Sequence, residues 1–168
     1  MTINPEVDRL IRRLDLKPHP EGGHYIETYR STDSVVREGS GSSRSACTAI
    51  YYLLSAGAYS AWHRIDADEL WHFHKGGPVL IHVIDAAGAQ RTHVLGDALH
   101  VDDASFQVMV PAGCWFAAEL ANPDDYALAG CTVAPGFEFD KFELAVAAAL
   151  IERYPQHTPL IQRLSKTV

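Results

Sequence analysis

Ala61-Trp62-His63-Arg64-Ile65-Asp66-Ala67-Asp68-Glu69-Leu70-Trp71-His72-Phe73-His74-Lys75-Gly76 is the stretch on which the fold turns. It carries three of the chain's nine histidines and two of its three tryptophans, and it runs into Gly77-Pro78. It reads as one strand ending near His63, a short acidic loop, and a second strand starting near Glu69. Side chains alternate between the two faces of a strand. Glu69, Trp71 and Phe73 therefore share one face, Leu70, His72 and His74 the other, and Ala61, His63 and Ile65 share a face of the first strand. Adjacent strands that aim a histidine, a glutamate and aromatic rings at one space build a ligand site as a small barrel does.

The pattern continues outward. Runs rich in Val, Ile, Tyr, Phe and Ala recur at 48–54, 59–64, 70–74, 79–85, 91–95, 106–110, 115–120 and 126–133. Turn signals separate them, such as Ser55-Ala56-Gly57, Pro111-Ala112-Gly113 and Asn122-Pro123-Asp124. Many short strands with no helical stretch between them indicate an all-β sandwich or barrel. A further strand is expected at 24–30, while Ser/Gly-rich residues 31–45 read as a solvated, mobile loop. Gly39-x-Gly41 lies in that loop but lacks the third glycine and the βαβ context of a dinucleotide site.

Helices are expected only at the ends. Near 5–14, Asn4 can cap, Pro5 suits the first helical position, and Val7, Leu10, Ile11 and Leu14 form one stripe. Pro18 and Pro20 forbid extension, and Glu21-Gly22-Gly23 turns the chain. Asp140 and Glu143 have capping-box spacing ahead of an Ala-rich helix near 140–154, and Thr158-Pro159 can start a last one near 159–166. The reading is a single domain over 1–168 with its barrel core at about 24–137.

Composition narrows the function. The 168 residues are long enough to bury about two thirds of their unfolded surface. A net charge of −7 without a basic cluster beyond Arg12-Arg13 argues against nucleic acid. No apolar run approaches the ~20 residues that span a bilayer, so no membrane partner is expected. The first residues lack the basic and apolar segments of a signal peptide, which makes the expected location cytoplasmic. Cys47, Cys114 and Cys131 form no C-x-x-C pair and read as small buried hydrophobes; Cys114, in a turn beside the expected cavity, is the one to test as a thiol.

A carboxylate among aromatic rings needs a partner, and His63 is the nearest candidate to Glu69 in sequence. Such a pair in an apolar cavity titrates away from its solution values, as general acid–base chemistry requires. Equally, Asp66-Ala67-Asp68-Glu69 can be a solvated loop and His63 a satisfied barrel histidine. Sequence leaves both readings open.

These residues resemble the cupin superfamily. His63, Glu69 and Gly76 match the spacing of the first histidine, the glutamate and the closing glycine of its first motif, and Pro111-Ala112-Gly113-Cys114-Trp115-Phe116 is similar to its second. The chain is most similar to a branch of single-domain cupins without assigned function. The matching segments are Lys17-Pro18-His19-Pro20-Glu21-Gly22-Gly23, Glu27-Thr28-Tyr29-Arg30-Ser31, Trp62-His63-Arg64, residues 69–74 and Gly130-Cys131-Thr132-Val133-Ala134-Pro135-Gly136-Phe137. The resemblance implies a double-stranded β-helix, or jelly-roll barrel, with short flanking helices. In metal-binding cupins two further histidines complete the site; Ile65 and Phe116 stand at those positions here. Gly22 to Thr28 and Gln107 to Gly113 are also similar to segments of rhamnose-pathway dTDP-sugar epimerases, which use a cavity histidine near the His63 position. Gly22 replaces their phosphate-binding arginine, which argues against a nucleotide-sugar substrate.

The expectation is a small-molecule-binding cupin acting as a metal-independent proton-transfer enzyme of isomerase, epimerase or lyase type. His63 is the expected base and Glu69 its partner. Tyr25, Glu27, Tyr52, Trp71, Phe73, Gln107 and Phe116 are expected to contact substrate. No cofactor is expected; a divalent transition metal, if one binds, would take His63 and Glu69, joined by His72 or His74 only if their strand is bulged. Otherwise His72 and His74 belong on a sheet surface, in the interface of an expected homodimer. The alternatives are a non-catalytic metabolite-binding module and a metal-dependent cupin.

Overall fold

Glycine turns and period-two alternation divide the chain into short strands bracketed by helices. The computed structural model describes residues 4–39 and 41–166. Helix α1 (Pro5–Leu14) comes first, with the Asn4 side chain accepting the Glu6 N–H at 3.0 Å and Asp15 closing its C-terminus in the left-handed conformation. Strands β1 (Lys17–Pro18), β2 (His24–Arg30), β3 (Ser34–Val36), β4 (Ser43–Ser45), β5 (Thr48–Ser55), β6 (Tyr59–Arg64) and β7 (Asp68–Gly76) follow. Then come β8 (Val79–Ile84), β9 (Gln90–Leu95), β10 (Ala104–Ser105), β11 (Gln107–Val110), β12 (Trp115–Leu120), β13 (Tyr126–Ala134) and β14 (Glu143–Leu144). Helices α2 (Ala147–Arg153) and α3 (Thr158–Arg163) end the order.

Twelve of these strands form two six-stranded sheets. Their orders are β1-β2-β5-β13-β7-β11 and β10-β9-β8-β12-β6-β14, a jelly roll. Between them lies the main core, which includes Tyr52, Leu54, Trp71, Ile81, Val110 and Phe116. Val7 of α1 and Leu16 cover part of the first sheet's outer face, over Leu53, Tyr126 and Leu128. Leu150 of α2, Ile161 of α3 and Leu164 cover the second sheet, over Trp62, Ile84 and Trp115. Alternation on β6 thus sends Trp62 out to the helices and leaves His63 facing in.

Three expectations fail. The described residues of 31–45 are not wholly irregular: β3 and β4 pair as a hairpin, and Arg44 reaches Asp66 at 2.9 Å. Its Ser-rich strands lack the apolar alternation that marks a strand in sequence. The helix expected at 140–154 begins only at Ala147. Glu143 is instead in β14, paired with β6, with its carboxylate held by Arg64 at 2.6 Å. Sheet pairing and that ion pair outcompete the capping box. The last helix also stops at Arg163, short of the expected 166.

Candidate functional site

A cavity of about 340 Å³ opens on the inner face of the first sheet. Its polar floor is assembled from three elements. Glu69 comes from β7 and His63 from β6; Glu21 comes from the turn before β2. All three are buried, at 8%, 2% and 6% exposure.

Glu21 is placed by the two glycines that follow it. Gly22 has φ +124°, and a Cβ there would lie 2.0 Å from the Tyr59 carbonyl oxygen. Gly23 has φ +68°, and its Cβ would come within 2.7 Å of the Leu53 carbonyl. Only glycine lets the turn approach β5 and β6 this closely. The Glu21 carbonyl then accepts the Ala61 N–H at 2.9 Å, and the Gly22 carbonyl accepts the Tyr52 hydroxyl at 2.8 Å.

The hydrogen bonds fix the proton count of the floor. His63 Nδ1 lies 2.7 Å from the Ala61 carbonyl, which only accepts, so Nδ1 carries a proton. His63 Nε2 lies 3.1 Å from Glu21 Oε2, and that contact needs a proton too. The pair therefore holds one shared proton between imidazole and carboxylate. Ser60 donates to the other Glu21 oxygen at 2.8 Å, and His19 Nδ1 stands 3.6 Å from Oε2. Burial, ahead of the opposing pull of Glu21, holds His19 below the usual histidine range and so favours its neutral form.

Glu69 is the opposite case. Burial, reinforced by the charge on Glu21, pushes its carboxyl up to about 8, so it is mainly protonated at neutral pH. The Cys131 thiol and Trp71 indole pull the other way only weakly; the indole N–H itself is buried with no hydrogen bond of good geometry. Tyr52 and Cys131 are pushed well up by burial and stay neutral.

The expected site residues divide. Tyr25, Glu27 and Tyr52 line the cavity with His63 and Glu69. Phe116 lies behind the His63 ring, centroids 4.0 Å apart, and Trp71 packs edge-on behind Tyr52. Phe73 packs against the core. Gln107 is exposed on the outer face, where it donates to His72 Nδ1 at 2.9 Å. Glu69 and His63 face one cavity, but the partner of His63 is Glu21. In sequence Glu21 reads as part of a turn and of a cupin-like segment, with no role of its own; the Glu-Gly-Gly sequence, a carboxylate ahead of two strain-tolerant residues, is the available signal. His19, Phe137 and Phe139 were missed as well. Cys114 lies outside the cavity lining, and burial raises its thiol, so it is no activated nucleophile.

The family model described as Cupin superfamily (DUF985) matches residues 8–145. The chain belongs to the cupin superfamily. This cupin is 35% identical to a hypothetical protein from Leishmania major, with a TM-score of 0.87, over 95% of this chain and 98% of that one. It is 40% identical to a Shewanella oneidensis protein, with a TM-score of 0.85, over 96% and 98%. Oxalate decarboxylase from Bacillus subtilis shares the fold at 12% identity and a TM-score of 0.56, over 90% of this chain and 37% of that one. One of its structures concerns its Mn(II) centres. No curated protein matches the chain.

Cupins of that kind raise the question of a metal here. Among the described residues, no group of three or more His, Cys, Asp or Glu side chains is placed to hold a metal ion. Both nitrogens of His63 are engaged, and Ile65 and Phe116 offer hydrocarbon. The β7–β13 register does shift near His74, but His72 and His74 still contact outer-face Thr132 and Tyr51 and do not join Glu69. The donor set does not fit the ion.

Proposed function

We propose that this cupin is a proton-transfer enzyme acting on a small carbonyl compound, with the His63–Glu21 pair as base and Glu69 as acid. One observation carries the reading: a carboxylate held by a histidine and a second, protonated carboxyl face the same cavity from different elements. Two titratable groups whose surroundings set opposite protonation states are the pattern of acid and base. The Glu21 carboxylate, held by His63, takes a proton from the carbon next to the carbonyl while the Glu69 hydroxyl donates to the carbonyl oxygen, giving an enol. Return of the proton to the former carbonyl carbon, while the neighbouring hydroxyl gives its own proton back to Glu69, isomerises the substrate. The likeness of residues 22–28 to the sugar epimerases supports this class.

The test is deuterium wash-in from D₂O into hydroxy-aldehydes and hydroxy-ketones, followed by NMR. Wild-type protein is expected to label at least one, and His63→Gln and Glu21→Gln to label it at least ~100-fold more slowly, the scale of a lost general base. Wild-type rates in folded His63→Gln protein overturn the assignment. A second reading, a non-catalytic binding module, is favoured by the fact that both His63 nitrogens are already satisfied within the protein. It predicts binding without wash-in.

The three cysteines are unpaired, which suits a reducing, cytoplasmic compartment. The outer face of the first sheet supports a homodimer: Leu70 and Met109 are adjacent there and are 37% and 49% exposed.

A further inference from the structure

The charges and walls of the cavity bear on what it binds. Among its described lining residues, Lys17 is the one lysine or arginine. It lies at the mouth, its side chain 67% exposed and 3.9 Å from Asp15. Arg30, beside the rim, has four of its five N–H groups taken: Glu27 accepts two hydrogen bonds at 2.9 Å, and Glu138 and the Phe137 carbonyl accept at 3.0 Å. His63 has no N–H left to offer, since one nitrogen serves Ala61 and the other Glu21. An anion driven inside would meet the Glu21, Glu27 and Glu69 carboxyls with no lysine or arginine beside them, and burying a charge without an opposite one is strongly unfavourable. An organic cation would meet a Glu21 carboxylate whose two oxygens already accept from His63 and Ser60, and a Glu69 carboxyl that pairs with it only by giving up its proton, which would remove the acid.

The walls specify shape. His19, Tyr25 and Tyr52 form one aromatic cluster, with His19–Tyr25 centroids 4.5 Å apart, and Phe139, 53% exposed, extends it to the mouth. Aromatic rings on one side and carboxyls on the other suit a ring with apolar C–H faces and hydroxyl edges. At about 340 Å³ the cavity is at the small end of ligand pockets, which run to ~1,000 Å³, and it has little room for an attached nucleotide.

We propose, building on the proton-transfer reading, that the ligand is an uncharged, single-ring polyhydroxylated carbonyl compound: a free sugar bearing no phosphate, carboxylate or amine. The chemistry balances without a co-reactant: opening of the hemiacetal ring frees the carbonyl, the proton removed from carbon is returned to carbon, and Glu69 regains from the neighbouring hydroxyl the proton it gave to the carbonyl oxygen.

The experiment uses the full chain and a panel of free pentoses, hexoses and deoxyhexoses, each paired with its uronate, phosphate or amino counterpart. Affinity is measured by calorimetry at pH 7. At least one neutral sugar is expected to bind, with its charged counterparts at least ~10-fold weaker. Glu69→Gln, which removes the titratable proton but keeps a hydrogen-bond donor, is expected to hold the neutral sugar within a few-fold. Tighter binding of a charged counterpart, or no binding by any neutral member, overturns the proposal. Deuterium wash-in into the bound sugar separates the two claims. Neutral-sugar binding without label leaves the ligand class standing and removes the catalytic reading; label in a charged member alone does the reverse.

Discussion

Glu69 and Glu21 show how neighbouring carboxyls come to differ. Glu21 has a histidine at 3.1 Å and a serine hydroxyl at 2.8 Å, whereas Glu69 sits among a thiol, an indole and apolar side chains. The folded protein therefore keeps a proton on Glu69 up to about pH 8, while the unfolded chain releases it in the usual carboxylate range. Between those values the folded state holds one more proton than the unfolded state, so stability falls as pH rises; below them both forms are protonated, and above them both are ionised. The slope from one such group reaches about 1.4 kcal/mol per pH unit. Glu69→Gln is expected to unfold near the wild-type denaturant midpoint at pH 4.5 and at a clearly higher midpoint at pH 8. Parallel wild-type and variant curves across that range would show that Glu69 ionises normally. The half of the site carried by His63 and Glu69 was legible in sequence because both follow strand parity within one short segment. Glu21 was not, because its contacts with Ser60 and His63 are made across the fold, and no local period announces them.

Strands and turns divide in the same way. The bounds of β6 and β12 coincide with the runs at 59–64 and 115–120, since both faces of each are buried, the outer one under the C-terminal helices, and turn residues bracket them. The β3–β4 hairpin and β14 have mostly exposed residues, so no alternation betrays them. The turn at Glu21-Gly22-Gly23 is the element on which the site depends. Its backbone is clamped by the Ala61 N–H and the Tyr52 hydroxyl, and Gly22 lies against the Tyr59 carbonyl. Gly22→Ala must move that turn or β6, because a methyl group cannot share the space of a backbone oxygen. Its cost is expected at about 3 kcal/mol or more, the scale of a substitution that is both strained and overpacked. Chemical denaturation measures it. Gly39→Ala, at φ +80° with nothing within 4 Å of its Cβ, is the control for strain alone, at about 1 kcal/mol. Equal losses in the two variants would mean that close approach contributes nothing at Gly22.

At the scale of the molecule the two sheets are unequally covered. Leu150, Ile161 and Leu164 pack over the second sheet, but α1 covers the first only near Leu53 and Leu128. Beyond it a row runs straight across the outer face: Tyr29, Ala49, Thr132, Leu70 and Met109 are register partners from β2 through β5, β13 and β7 to β11. Tyr51, Gly130, His72 and Gln107 form the next row. Burial, with His74 nearby, holds His72 below the usual histidine range, so its neutral form suits an apolar contact. A second copy laid on these rows would bury the two exposed apolar side chains of β7 and β11, and about 800 Å² per subunit is the usual size of such a contact. Met109→Glu places a charge at its centre on a side chain that is 49% exposed in the single chain, so the fold is expected to survive. Sedimentation at micromolar concentration is expected to show a dimer for wild type and a monomer for Met109→Glu, with unchanged thermal unfolding at high dilution. A dimer that withstands Met109→Glu uses another face, and a wild type that sediments as a monomer leaves the row as solvent-facing surface. The cavity is lined by the opposite face of the same sheet, so a variant that separates the subunits without changing ligand affinity would show that each site is complete within one chain.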